Sequence, residues 1–389
     1  YKAAPLIGMA YDATYVLSKG HEVRVVDNIV AKARGESLEK TFVEIRQDVV
    51  GLTSKTPFIP ASDRLAKIAR RAIPDVCLIL GGPHASILPH RCLDECPEID
   101  YVIVGEGERS CVELLEAIES HRPGGGVAGV AGRSPGASIH TRPLYQELDD
   151  LPFPDWSMYP YDAYQPVFSE QLGCERHQYQ VLLSRGCPNR CAFCFNIFGT
   201  SYRVRSPENV RREIEGAFDA FDARLFDFVD PTMTIDQRHF RGLCRELAKS
   251  PTAGKIAWTC ETRADRVDEE LLREAREAGC ESVMFGIESG SQRILDVMRK
   301  GTTTQTNLRA IALAVKAGIH VRATLIIGHP FETRETLDET IDFVVRAKRL
   351  NGVECLPSFL GVYPGTETYD LVENKLGAAH WVEGTREVW

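Results

Sequence analysis

Apolar positions along the chain come in short blocks separated by glycine, proline and charge, and the spacing inside each block predicts its element. Gly8 to Lys19 carries a helical period and stops at Gly20, and Glu22-Val23-Arg24-Val25-Val26-Asp27 alternates as a strand does. Val49 to Leu52 reads as a second strand, Ala61 to Ile73 as a helix, and Val76 to Leu80 as a third strand running into Gly81-Gly82-Pro83-His84. Tyr101 to Val104 is a fourth strand; it ends in Gly105-Glu106-Gly107-Glu108 ahead of a helix from Ser110 to about Ile118. Short apolar strands alternating with helices predict an α/β domain, a doubly wound (Rossmann-like) parallel sheet. Glycine-rich turns at its strand ends are where such sheets admit ligands, because a residue without Cβ lets the ligand reach the backbone.

The pattern then breaks at Gly124-Gly125-Gly126 and Arg133 to Gly136, and Leu151-Pro152-Phe153-Pro154-Asp155-Trp156 reads as an extended, proline-fixed crossing. The first domain is placed at 1–140 and a linker at 141–178. From Gln180 strand and helix alternate again. Strands are expected just before the cysteines at Val181 to Leu183, then at Leu225 to Val229, Lys255 to Thr259, Ser282 to Ile287, His320 to Ile327 and Glu354 to Val362. Residues 179–370 form this second domain and 371–389 a short tail.

Composition narrows the class. The 389 residues suffice for two domains, and 43% hydrophobic with 26% charged residues is ordinary for a globular protein. No apolar run has the length a bilayer needs, and Tyr1-Lys2-Ala3-Ala4-Pro5 lacks a signal peptide's plan, so a cytoplasmic protein that does not engage membrane is expected. Nine of the twelve cysteines are scattered outside one triplet, unlike a secreted disulfide framework. A net charge of −9 and a pI near 5.7 disfavour nucleic acid as the main partner.

The triplet is Cys187, Cys191 and Cys194, a C-x3-C-x2-C run in Ser184-Arg185-Gly186-Cys187-Pro188-Asn189-Arg190-Cys191-Ala192-Phe193-Cys194. Three thiolates on one loop suit iron held in a cluster better than tetrahedral zinc, for which no nearby Cys or His supplies a fourth ligand at finger spacing. Structural zinc or three core thiols are the alternatives. A cubane cluster held by three cysteines keeps one iron open to an exchangeable ligand.

These residues, with Phe193 before the last Cys and a strand ahead of the loop, resemble the radical S-adenosylmethionine (SAM) superfamily. The resemblance implies an open (β/α)6, TIM-like partial barrel with its chemistry at the strand C-termini. It implies a [4Fe-4S] cluster, SAM chelated to the open iron, release of a 5′-deoxyadenosyl radical, and an electron donor such as flavodoxin or ferredoxin. Pro5-Leu6-Ile7-Gly8-Met9-Ala10, Lys19-Gly20-His21-Glu22-Val23, Gly81-Gly82-Pro83-His84 and Gly105-Glu106-Gly107-Glu108 together resemble the cobalamin-binding domain found ahead of many such barrels. In that layout a strand precedes the position of Tyr1. No Asp-x-His-x-x-Gly offers cobalt a lower ligand, so cobalamin would be held by its edges and tail, and a domain that binds nothing is the alternative. His84 reads as a turn residue.

By the same resemblance, Asp230 in Asp230-Pro231-Thr232 would accept from the SAM ammonium and Arg263 would donate a fork to its carboxylate. Glu288 and Ser289 in Phe285-Gly286-Ile287-Glu288-Ser289-Gly290-Ser291 would hold the ribose. Ile327, Gly328 and His329 with Phe193 would make the adenine slot. Tyr363-Pro364-Gly365-Thr366-Glu367-Thr368 is another family-like turn. The main expectation is radical dehydration of a polyhydroxylated small molecule, as in the aminoglycoside diol dehydratase of antibiotic biosynthesis, with Asp230, Glu261 and Tyr363 as candidate bases. It rests on the short tail, since methylases of this kind often carry a C-terminal extension, and it expects turnover without cobalamin. Cobalamin-dependent C-methylation is the alternative; a non-catalytic sensor would need no SAM site.

Overall fold

The computed structural model describes residues 5–133 and 139–376, and the side chains of those up to 373. The Ser134 to Gly136 part of the first break and all but the first residues of the tail lie outside the described residues. Two compact units emerge: one runs to Tyr164 and also takes Tyr363–Gly365 and the chain from Tyr369, the other holds Gln165–Val362 and Thr366–Thr368.

The first unit contains a four-stranded sheet, β1 (Val49–Thr53), β2 (Cys77–Gly81), β3 (Tyr101–Ile103) and β4 (Val130–Gly132), paired in that order. The first three strands run parallel and β4 pairs antiparallel to β3. Helices α1 (Ile7–Ser18), α2 (Ile59–Ala72) and α3 (Gly107–Glu119) match the periodic blocks. Leu78, Leu80 and Val102 alternate into a core with Ala66 and Ala69 of α2, while Ile79 and Ile103 face a second cluster with Leu114 of α3. One expected strand is absent: exposure alternates from Glu22 to Val25 and then stops, and among the described residues no strand pairs with Glu22–Asp27. Period two reports which way side chains face and is silent on pairing. Asp27 instead caps the following helix, accepting from the amides of Ile29 and Val30.

The second unit is a six-stranded, wholly parallel sheet in consecutive order: β5 (Gln178–Val181), β6 (Leu225–Phe228), β7 (Ala257–Thr262), β8 (Cys280–Glu288), β9 (His320–Ile327) and β10 (Val353–Phe359). This is the partial barrel. Three strands depart from expectation, β10 by ending at Phe359 where Val362 was expected. Lys255 belongs to a turn, its amide donating to Thr252 O, so β7 starts at Ala257 and ends at Thr262. Val181 closes β5, and Ser184–Arg185 pairs antiparallel with Arg203–Val204. The sheet's outer face packs on helices α4 (Pro207–Phe221) and α5 (Gln237–Lys249): Tyr179 stacks on Phe221, and Trp258 meets Phe240 edge-on.

Candidate active site

The cysteine loop leaves the sheet between β5 and α4, and its backbone is tied down before any ligand arrives. Gly186 sits at φ +90°, and a Cβ there would overlap the carbonyl oxygen of Ser201, so only glycine fits the turn. The amide of Cys187 donates to Gly199 O at 3.1 Å, that of Cys194 to Cys191 O at 3.1 Å, and that of Ala192 to Met298 O at 2.9 Å. Asp230, completely buried just after β6, fastens the loop's root: it accepts from the amides of Leu183 (3.0 Å) and Ser184 (2.5 Å) and from the Ser184 hydroxyl. Burial pushes its carboxyl up to about 6 against the pull of those hydrogen bonds. Through these bonds Asp230 braces the root of the loop, the place in the fold at which an amine acceptor or base was expected.

Around the thiols are donors and cations. Asn189 Nδ2 donates to Cys187 Sγ at 3.2 Å, and Arg263 Nη1 to Cys191 Sγ at 3.7 Å. Burial raises the Cys191 thiol, with Lys300 and Arg263 pulling against it and Glu288 and Cys187 adding to it, so on balance the group is held above its ordinary value. Among the described residues no three His, Cys, Asp or Glu side chains converge as a single-ion site. A cubane, which spreads its three thiolates over separate irons, asks for a wider set, and three soft donors on one loop fit it.

At the other strand ends the expected SAM ligands already have protein partners. Arg263 is bound through Nε and Nη2 to Asp265 (2.9 and 3.1 Å), and Nη2 also donates to Lys300 O at 2.6 Å. Its fork is thus occupied, and only Nη1 turns to the cysteines. Glu288 ends β8 at φ +65°, beyond a register shift between Gly286 and Glu288. A non-glycine residue in that conformation is strained and held by its surroundings. What holds it is Lys300, whose Nζ donates to Glu288 Oε1 at 2.7 Å and lies 5.9 Å from the Phe193 ring centroid. A Cβ on Gly286 would come within 2.5 Å of Glu288 Oε1 and 2.7 Å of Lys300 Nζ, so the pair occupies the space that glycine leaves. Ser289, expected beside the ribose, is fully buried, its hydroxyl 3.0 Å from Thr340 Oγ1 in helix α6 (Arg334–Lys348).

Gly328 sits at φ +89° after Ile327, its amide donating to Glu332, and His329 Nδ1 accepts from the Phe331 amide at 3.3 Å. Tyr363 belongs to the turn that groups with the first unit. Glu261, on β7, is a partly buried carboxyl pushed up to about 7 by desolvation and then by Asp227. Lys300 was missed by sequence reasoning; the only signal is a cation between a helix end at Val297 and Gly301 at φ +71°, and its partner is named nowhere nearby in the chain.

In the first unit, the strand ends carry the glycines. Gly82 takes φ +95°, and a Cβ there would meet Thr53 Oγ1 and the Ser54 backbone at 2.7–2.9 Å. Gly105, at φ +82°, has open space where a Cβ would stand, and its amide donates to Ser86 Oγ at 3.0 Å. This is a glycine cradle at the C-terminal edge of a parallel sheet. His84, expected in a turn, is instead the second residue of a short helix (Pro83–Ile87); it is buried with Nδ1 3.0 Å from Thr56 Oγ1, and burial lowers its pKa. Among the described residues no helix is long and apolar enough to cross a membrane.

A glycine-edged α/β sheet followed by an open parallel barrel with three cysteines after its first strand defines a cluster-dependent SAM enzyme with an accessory cofactor domain. Residues 181–344 match the radical SAM superfamily model and residues 3–115 the B12-binding domain model. An uncharacterized methyltransferase of Pyrococcus horikoshii is 32% identical over 97% of this chain and 81% of its own length. The anaerobic magnesium-protoporphyrin IX monomethyl ester cyclase of Rubrivivax gelatinosus is 32% identical over 86% of the chain and 61% of its own length. Among solved structures, the radical SAM methyltransferase TsrM of Kitasatospora setae, with cobalamin and a [4Fe-4S] cluster bound, superposes with a TM-score of 0.77 at 21% identity, covering 97% of this chain and 74% of that one. The chain belongs to the radical SAM superfamily, in the branch that carries a B12-binding domain ahead of the barrel.

Proposed function

We propose that the chain is a cobalamin-dependent radical SAM methyltransferase acting on a small molecule. The observation that carries the reading is a relative called a methyltransferase that matches nearly all of this chain and four-fifths of its own length, in a family with a B12-binding domain. This favours the methylation alternative over dehydration. The short tail gives no counterweight, because the chain spans 61% of the cyclase and 74% of TsrM, and where it stops says nothing about an extension.

When bound, the cluster supplies an electron for SAM cleavage and cobalamin carries the methyl group. This chain's own residues do the rest. Cys187, Cys191 and Cys194 hold the cluster and Asp230 holds their loop. Lys300 and Arg263 set two cations beside the Cys191 thiol, and Glu288 is kept in place by Lys300. The glycine edge of the first unit admits a flat ring system against backbone. An electron donor such as flavodoxin or ferredoxin is the expected partner.

The test is to reconstitute the cluster anaerobically, add hydroxocobalamin, SAM and a reductant, and identify the nucleosides. Stoichiometric cobalamin with both S-adenosylhomocysteine and 5′-deoxyadenosine is expected. 5′-Deoxyadenosine alone, at a rate indifferent to cobalamin, would overturn methylation and restore dehydration.

A further inference from the structure

The inner face of the barrel sheet holds a polar group that neither the cysteines nor the Lys300 pair uses. Trp258 and Cys260 of β7 pack outward on α5, beside Phe240 and Cys244, so Thr259 and Glu261 point to the opposite face. On β6, Phe226 and Phe228 are fully buried on the outer side, the latter 5.5 Å from Trp258, which turns Asp227 inward. One register row across β6, β7 and β8 aligns Asp227, Thr259 and Ser282, and the next aligns Glu261 and Met284 with Arg322 of β9. Thr259 Oγ1 donates to Asp227 Oδ1 at 2.5 Å and Gln178 Nε2 donates to Thr259 Oγ1 at 3.4 Å.

Three side chains in this floor have capacity left: Ser282, Glu261 and Asp227. Ser282 is 8% exposed and its hydroxyl has no hydrogen-bond partner. A buried hydroxyl in that state carries a desolvation cost that a ligand removes. Glu261 and Asp227 make no ion pair with a described residue, while Arg322, the cation of the floor, has Nε 3.8 Å from Glu354 Oε2. The charges that face Glu261 are Asp227, Asp230 and Glu288, all negative, and Arg322, positive. Glu288 is matched by Lys300, and Asp230 is satisfied by the loop. The floor therefore has an excess of carboxylate and one idle hydroxyl.

We propose that this floor is where the substrate is recognised and that it takes a basic nitrogen, an ammonium or amidinium group, with Glu261 as its main anchor and Ser282 accepting a second hydrogen bond. The proposal rests on the reading of the chain as a radical SAM enzyme whose substrate enters the barrel. A cation in the floor donates to Glu261 and Ser282 and neutralises the carboxylate excess, whereas an anion would meet that excess unpaired. Because burial and Asp227 leave the Glu261 carboxyl near neutrality, a bound cation displaces its proton and binding strengthens as pH rises. The group is a specificity determinant; the reacting carbon lies elsewhere on the substrate.

The test uses the full chain with its cluster reconstituted and three isosteric probes, benzylamine, benzyl alcohol and benzoate, followed by ligand-observed NMR titration at pH 6 and 8.5. Benzylamine should bind most tightly, and about tenfold better at pH 8.5 than at pH 6, as expected for competition with a proton held near pH 7. Benzyl alcohol should not change with pH. Glu261→Gln should lose about tenfold for benzylamine and remove the pH dependence, which separates Glu261 from Asp230, a group pushed up to about 6. Ser282→Ala should give a smaller loss. Benzylamine binding no tighter than benzyl alcohol in the wild-type chain, or a ratio that pH leaves unchanged, overturns the proposal without any variant having to fold. Nucleoside formation is scored separately: its failure with the amine preference intact would count against the reaction and not against the floor.

Discussion

Lys300 Nζ stands 2.7 Å from Glu288 Oε1 with both side chains less than a tenth exposed, and the carboxylate it holds belongs to a residue at φ +65°. Removing one partner of a buried pair leaves the other charge stranded. Lys300→Met is therefore expected to cost about 3–5 kcal/mol of stability. Thermal unfolding measures it, and apparent SAM affinity should fall with it because Glu288 loses its anchor. Glu288→Gln, which keeps shape and one hydrogen bond to Lys300, should cost less stability while still weakening SAM. An unchanged melting temperature for Lys300→Met would show the pair to be idle.

Asp230→Asn removes an acceptor from the root of the cysteine loop. One of the donors, the Leu183 amide or the Ser184 pair, then faces an NH2 group, a loss of about 1–3 kcal/mol. Iron content after reconstitution should drop although no cysteine is touched. Full iron loading in this variant would remove Asp230 from the loop's support.

Glu261 gives a pH signature. Its folded carboxyl is raised to about 7 from an ordinary value near 4.5, so between those values the folded chain binds more protons than the unfolded one. The stability tied to the protonated form is present below pH 4.5 and is lost as pH rises through 7. Glu261→Gln should leave stability at pH 4 almost unchanged and raise it at pH 8 by up to about 3 kcal/mol. Denaturant melts at the two pH values read this directly, and equal effects at both would refute the assignment.

Replacing any one of Cys187, Cys191 or Cys194 with Ala should abolish iron loading and 5′-deoxyadenosine formation while the far-ultraviolet spectrum stays that of the wild type. The barrel core is built from residues such as Phe226, Trp258 and Phe285, none of them in the loop. Near-normal iron in any single variant would break the cluster assignment.

The spacing of apolar residues made both sheets legible, because Val, Ile and Leu blocks report burial. It failed at Glu22–Asp27, where facing and pairing part company, and at Lys255, where a turn precedes the strand. The cysteine triplet was legible since its ligands are neighbours in the chain. Lys300 was not, because its meaning lies in Glu288, twelve residues back and across a shifted register. Arg263 and Asp230 were legible as residues but their protein partners were not, since a sequence shows a charged group without showing its neighbours. Ser282 was invisible for the opposite reason: its importance lies in a partner it lacks.

The register of β8 against β9 shifts between Gly286 and Glu288. Below it, Ser282 pairs with His320 and Met284 with Arg322; above it, Glu288 pairs with Leu325 while its side chain is tied to Lys300. A mutation in the lower half can reshape the floor without rotating the upper half out of place. Laboratory recombination should respect this seam, with crossovers tolerated before Gly286 and Glu288 transferred only together with Lys300.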